Sequence, residues 1–207
     1  MEGVNETTTG APAPSNWNLP NALTVLRILL VPVFVVLLLM GNGEDAVLRT
    51  WAFVVFAGAM VTDWIDGTLA RRWNLITDFG KIADPIADKA LMAAALIGLW
   101  IVGTLPLWVP IVILVRELGI TALRFVIIRW VVLPASKGGK LKTVLQTVAL
   151  GMLILWVPAL VWLPHAVALG WTIAAWIVLT AAIVVTLVTG ADYCVKAARL
   201  VREARAA

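Results

Sequence analysis

Apolar runs, each close to the roughly twenty residues needed to cross a hydrocarbon core, follow one another along almost the whole of this chain. They begin with about Pro20 to Met40 and continue over roughly 48 to 70, 82 to 102, 106 to 131, 141 to 163 and 167 to 190. A backbone placed in lipid must satisfy its own hydrogen bonds, so runs of this length fold as helices packed into a bundle. The composition agrees: 62% of the 207 residues are hydrophobic and only 14% charged, with a mean hydropathy of +0.98. The expected fold is therefore an all-α integral membrane protein, a bundle of six transmembrane helices.

Residues 1–17 are rich in Thr, Pro, Gly and Asn and carry no apolar run, which reads as a disordered cytoplasmic tail. No basic start leads into a short apolar core, so no cleavable leader is expected. Residues 18–195 then read as one membrane domain without a detectable repeat, and 196–207 as a basic cytoplasmic tail that follows an anionic leaflet. Basic residues gather in alternate connections: Arg71, Arg72 and Lys81, then Arg129, Lys137, Lys140 and Lys142, then Lys196, Arg199, Arg202 and Arg205. The opposite connections hold only Arg49, beside Glu44 and Asp45. Positive residues favour the cytoplasmic side, so both termini face the cytoplasm, in a multi-pass protein of the cell (inner) membrane.

That distribution also accounts for the net charge of +4. Without interleaved aromatics it is no nucleic-acid surface, and the partner it implies is the lipid bilayer. Cys194, the single cysteine, excludes an intramolecular disulfide and is expected to pack as a small hydrophobe. Trp51, Trp108, Trp162 and Trp171 lie near segment ends, as an interfacial belt requires. His165, the only histidine, falls in an outer connection.

Against this apolar background stand Asp63, Asp66, Asp84 and Asp88. Their pattern is Asp63-x-x-Asp66-Gly67-x-x-Ala70-Arg71, eight residues, then Gly80-x-x-x-Asp84-x-x-x-Asp88. An intramembrane carboxylate is costly unless it has a partner or a task. Spacings of three and four put Asp63, Asp66, Gly67, Ala70 and Arg71 on one stripe at the end of the second helix. Asp84 and Asp88 form another at the start of the third. Two such stripes joined by a short loop can converge on one or two hard cations bound through oxygen, Mg or Mn. Gly67 and Ala70 leave room beside them, and Arg71 offers a planar fork suited to phosphate oxygens. A single aspartate near a helix end is ordinarily a cap or a solvated charge, and Asp78 and Asp192 are read that way.

The segment from Asp63 to Asp88 resembles the signature of the CDP-alcohol phosphotransferases, membrane enzymes that displace CMP from a CDP-linked lipid or alcohol with a hydroxyl acceptor. All eight fixed positions are present: Asp63, Asp66, Gly67, Ala70, Arg71, Gly80, Asp84 and Asp88. Further matches are Asn18-Leu19-Pro20-Asn21-Ala22-Leu23-Thr24 with Arg27, the run from Arg116 to Arg124, and Gly139-Lys140-Leu141-Lys142-Thr143 with Gln146. They resemble the branch of the family whose acceptor is glycerol 3-phosphate. Ile82-Ala83-Asp84-Pro85 departs slightly, since the branch commonly has Leu directly before the aspartate; no charged position changes.

The resemblance implies a six-helix bundle with a polar active-site cavity facing the cytoplasm, and a homodimer. It implies transfer of the phosphatidyl group from CDP-diacylglycerol to glycerol 3-phosphate, with release of CMP. Asp63, Asp66 and Asp84 become ligands of a divalent metal, two ions of Mg or Mn. Asp88 becomes both ligand and catalytic base. Gly67, Arg71 and Thr77 occupy positions that contact the CDP-lipid, helped by Asn21 and Thr24. Arg116, Arg124, Lys140 and Lys142 are candidates for the acceptor phosphate, an intramembrane arginine being a functional candidate by default. Lys137 and Arg129 read instead as inside-facing anchors. The alternatives are a family member with another acceptor, a cardiolipin synthase or a phosphatidylinositol phosphate synthase. Outside the family stands a carboxylate-based ion or proton transporter, which would hold its acids near the midplane on broken helices.

Overall fold

A computed structural model gives the architecture, and it describes residues 18–72, 77–127 and 137–206. The described residues are helical, with no strand among them. In chain order they form α1 (Leu19–Leu39), α2 (Ala46–Arg72), α3 (Asp78–Ile101), α4 (Trp108–Ile127), α5 (Lys137–Ile154), α6 (Trp156–Trp162) and α7 (His165–Ala206). The residue 1–17 tail, Arg129, and the side chains of Arg71, Arg72, Asp78, Lys81, Lys137 and Arg205 lie outside what is described.

Local chemistry sets the ends of these helices. The Asn18 side chain caps α1 by accepting from Asn21 N at 2.9 Å, and Pro20 sits in the first turn, where no N–H is missed. After α1 a 3-10 turn at Met40–Gly43 reverses the chain through Gly41, Asn42 and Gly43, all at positive φ. Only glycine serves at Gly43: φ is +71°, and a Cβ there would stand 2.6 Å from Val102 Cγ1. Asp45 then caps α2, accepting from Val47 N at 2.8 Å and Leu48 N at 3.0 Å. Thr77 caps α3 by accepting from Gly80 N at 3.1 Å.

The fifth apolar run was expected as one helix over 141 to 163. It is broken instead at Leu155 into α5 and α6, which meet at a bend of 44°. Pro158 gives the reason, since its ring clashes with the carbonyl four residues earlier, at Ile154. α7 runs on without interruption past Lys196 to Ala206, 42 residues in all. At 1.5 Å per residue that is roughly 63 Å, about twice a hydrocarbon core.

α1 packs along α2 and α3, and α7 along α5 and α4. Between these two halves lies a core of Phe34, Leu38, Phe56, Leu91, Leu99 and Leu153. Phe34 and Phe56 rings meet with centroids 5.7 Å apart, and Gly98 admits Leu38 so closely that a Cβ would lie 2.6 Å from Leu38 Cδ2. The outer surface is apolar too: Leu29, Val36, Val61, Ile177 and Val188 are all exposed. A soluble fold does not leave so wide an apolar surface uncovered, whereas lipid covers it without cost. Cys194 joins that surface: it is exposed on α7 rather than packed inside.

By length and apolarity, α1, α2 and α7 are able to cross a membrane, and α5 with α6 reaches that length and apolarity only when the bent pair is counted as one span. α3 and α4 are as long, at 24 and 20 residues. Their apolar character is diluted by Asp84, Asp88 and Lys89 on α3 and by Arg116, Glu117 and Arg124 on α4. The residues that interrupt them are the ones from which the site is built.

Candidate active site

Arg27 organises the carboxylates. It lies one turn beyond Thr24 on α1 and is fully buried, reaching α2 with both ends of its fork. Nη1 stands 2.8 Å from Asp63 Oδ1 and Nη2 2.5 Å from Asp66 Oδ2, while Nε donates to Ala59 O at 3.3 Å. Asp66 is buried and Asp63 about a third exposed, so the pair presents one edge outward. Arg27 entered the sequence reading only as part of a resemblance. The stronger signal was available: an arginine deep in an apolar run needs a partner, and the aspartates of the next helix were the nearest candidates.

A second network joins α1 to the start of α3. Thr24 Oγ1 donates to Asp84 Oδ1 at 2.5 Å, and Asn21 Nδ2 donates to Thr77 Oγ1 at 2.9 Å. Gly80 permits this approach, since a Cβ would lie 3.0 Å from Asn21 Oδ1. Asn21, Thr24 and Thr77 are all buried. Thr24 holds Asp84 directly, while Asn21 and Thr77 tie the start of α3 to α1. Asp88, one turn further along α3, is within electrostatic reach of Asp63, Arg27, Lys142 and Glu117.

The donor chemistry here fits a hard divalent cation: carboxylate oxygens from two helices, with Asp66 in electrostatic reach of Asp63 and Asp84. As they stand, however, no three acidic, His or Cys side chains among the described residues are grouped closely enough to hold an ion. The positive charge between Asp63 and Asp66 is the Arg27 guanidinium.

On the other half of the bundle the basic candidates separate. Arg116 turns toward α7, with Nε donating to Thr186 O at 3.0 Å and Nη2 to Thr189 Oγ1 at 2.8 Å. Gly190 makes this fit possible, since a Cβ would meet Arg116 Nε at 3.1 Å. Glu117 Oε1 accepts from both Arg116 Nη1 and Lys142 Nζ, which fastens α5 to α4. Arg124 lies over the Tyr193 ring, 5.9 Å from its centroid. Lys140 is exposed on α5. Of the four, only Lys142 lines a cavity of about 280 Å³ that opens beside Asp88 between α3, α4 and α5. Its polar wall is Asp88, Lys89, Glu117, Lys142, Thr143 and Gln146. Lys89 was not anticipated from the sequence.

Acids on α2 and α3, Asp66 buried and Asp63, Asp84 and Asp88 partly exposed, thus stand beside a cavity walled by Asp88, Lys89, Glu117 and Lys142 in an apolar bundle. The model of the CDP-alcohol phosphatidyltransferase family matches residues 17–188, and the chain belongs to that family. Its relatives narrow the comparison. A "Probable phosphatidylglycerophosphate synthase" of Mycobacterium tuberculosis is 48% identical over 182 residues, 88% of this chain and 82% of the relative. Two proteins named CDP-diacylglycerol–glycerol-3-phosphate 3-phosphatidyltransferase follow. That of Bacillus subtilis is 40% identical over 67% of this chain and 77% of its own length. That of Escherichia coli is 37% identical over 69% and 79%.

Proposed function

We propose that this protein transfers the phosphatidyl group of CDP-diacylglycerol to glycerol 3-phosphate, forming phosphatidylglycerophosphate and releasing CMP. One observation carries the reading: Asp88, one turn beyond Asp84 on α3, lines the cavity together with Lys89, Glu117 and Lys142. A base that takes a proton from the acceptor has to stand between the activated phosphate and the acceptor pocket. The names of the relatives support both substrates.

In this reading Asp63, Asp66, Asp84 and Asp88 would hold the divalent cofactor, two ions of Mg or Mn, which when bound would supply neutralisation of the diphosphate and of the departing CMP. The CDP-lipid headgroup lies along Gly67 and Arg71, with Asn21, Thr24 and Thr77 bracing the aspartates behind it. Lys142, held by Glu117, presents its charge to the acceptor phosphate. An acceptor hydroxyl then attacks the phosphatidyl phosphorus, its proton passes to Asp88, and the phosphorus–oxygen bond to CMP breaks. Arg116, clamped to α7, holds Glu117 and so acts as a positioning residue. The acyl chains stay in the bilayer throughout.

The same reading takes the apolar passages as six membrane crossings in a homodimer of the cell membrane. Both termini and the cavity then lie on the cytoplasmic side, where glycerol 3-phosphate is found. Arg49, the one basic residue of the opposite connections, is buried within the bundle and is not a loop charge. It therefore does not count against this orientation.

The test is CMP release by purified protein given CDP-diacylglycerol and Mg or Mn, with glycerol 3-phosphate, inositol phosphate, serine or phosphatidylglycerol in separate reactions. Release with glycerol 3-phosphate is expected. None with it, alongside turnover of another acceptor, would overturn the acceptor assignment.

A further inference from the structure

Lys89 follows Asp88 on α3 and lines the same cavity, yet its surroundings differ from those of Lys142, the other cation of the wall. Arg116 and Lys142 share the Glu117 carboxylate. Among the described residues Lys89 Nζ instead donates to the neutral Thr121 hydroxyl at 2.5 Å, and that hydroxyl in turn donates to the backbone carbonyl of Glu117 at 2.8 Å. An ammonium has three N–H donors, and a half-buried one served by a single neutral oxygen is costly in an apolar span. The two carboxylates of the wall do not pair with it: Glu117 takes Arg116 and Lys142, and Asp88 makes no ion pair with Lys89 among the described residues, while Thr143 and Gln146 are neutral and Met92, Leu96, Ile113 and Leu118 apolar. Lys89 is thus the ammonium of the wall that has no carboxylate partner among the described residues, and it stands beside the residue that would accept a proton.

We propose that Lys89 binds the phosphate of the acceptor, sharing it with Lys142 and so presenting the acceptor hydroxyl to Asp88. The inference rests on the reaction proposed above and deepens it by naming the group that selects a phosphorylated acceptor. Its chemistry is that of a phosphate monoester on a short polyol, with the hydroxyl end at Asp88 and the anionic end between two ammonium groups. Arg124 and Lys140 are not needed for it, since neither lines the cavity.

The experiment uses the full chain in detergent or liposomes and measures CMP release at saturating CDP-diacylglycerol while glycerol 3-phosphate is varied. Lys89→Met should raise KM for glycerol 3-phosphate by about tenfold or more, with KM for the CDP-lipid within about twofold of wild type. Lys89→Arg should recover most of the loss. Thr121→Val, which removes the hydrogen-bond partner and keeps the charge, should change KM by less than about threefold. If the lysine only tied α3 to α4, Thr121→Val would match Lys89→Met, and that result would overturn the proposal. So would an unchanged KM in Lys89→Met.

A variant that folds poorly is still informative through a ratio taken within one sample, glycerol 3-phosphate against glycerol. The proposal expects Lys89→Met to shrink that preference; an intact preference sinks it. If wild type uses inositol phosphate instead, the acceptor assignment fails, and Lys89 is judged by its preference for inositol phosphate over inositol. A wild type that prefers an acceptor without phosphate removes both.

Discussion

Each end of the bundle is built around a buried arginine, and the two are served in opposite ways. At the carboxylate end Arg27 sits between Asp63 and Asp66, at 2.8 and 2.5 Å. At the other end Arg49 donates to Gly43 O at 2.7 Å, to Leu153 O at 3.2 Å and to Thr104 Oγ1 at 2.8 Å, three neutral oxygens. Those oxygens belong to the turn after α1, the end of α5 and the connection before α4. Arg49 thereby ties three pieces of chain that share no sequence neighbourhood. Carbonyl and hydroxyl partners are fixed and cannot be traded for another cation in the way carboxylates can. One end is built to stay shut, and the other holds its charges in a form that a metal or a phosphate can rearrange.

The largest effect expected at either end is on turnover, from Asp88→Asn. An amide cannot accept the hydroxyl proton, and loss of a positioned base costs about a hundredfold to ten-thousandfold in rate. CMP release should fall by that factor while CDP-lipid binding, followed by calorimetry, stays largely intact. Turnover within a few-fold of wild type would remove Asp88 as the base.

Next come the two arginines, compared by thermal unfolding in detergent with and without Mg. Arg27→Met leaves Asp63 and Asp66 facing each other without a cation, and breaking a buried pair in this way costs about 3–5 kcal/mol. Added Mg should restore part of that loss, because the abandoned carboxylates are hard oxygen donors. Arg49→Met leaves carbonyls unserved and should cost about 2–4 kcal/mol over its three hydrogen bonds. Mg should do no more for it than for wild type. Equal rescue of both variants, or of neither, would erase the distinction between the two ends.

Gly43→Ala sharpens the same comparison at a smaller scale. The added methyl meets Val102 Cγ1 at 2.6 Å and Arg49 Nη2 at 3.2 Å, in a backbone at φ +71°. A loss of about 1–3 kcal/mol is expected in the unfolding midpoint, with KM for both substrates unchanged. A shifted KM would mean that the shut end communicates with the site.

How far the sequence led can be judged residue by residue. Apolar length located the helices because lipid leaves the backbone no other choice, and the break at Leu155 was missed only because Pro158 was read within a continuous run. Spacing placed Asp63 with Asp66 and Asp84 with Asp88, since periodicity fixes which residues share a face. It could not show what each face looks toward. Arg116 and Arg124 of α4 turn to Thr186, Thr189 and Tyr193 of α7. The cavity is lined instead by Ile113, Leu114, Glu117 and Leu118. Lys89 carries no spacing signal of its own, and only the neighbouring helix shows that it donates to Thr121.

That difference between faces gives the smallest effect expected, and a direct contest between spacing and geometry. Lys140 and Arg124 were read with Lys142 as the acceptor-phosphate set. Lys140 is exposed two residues before Lys142, so about 200° of helix separates their directions. Arg124 spends its charge over the Tyr193 ring, a contact worth about 0.5–1 kcal/mol where water or headgroups compete. Lys140→Gln and Arg124→Gln should therefore leave KM for glycerol 3-phosphate within about twofold of wild type. Lys142→Gln, which also releases Glu117, should raise it by about tenfold or more. Were Lys140→Gln to match Lys142→Gln, the acceptor would bind further out than the cavity beside Asp88, and the junction between the two halves would lie nearer the helix ends.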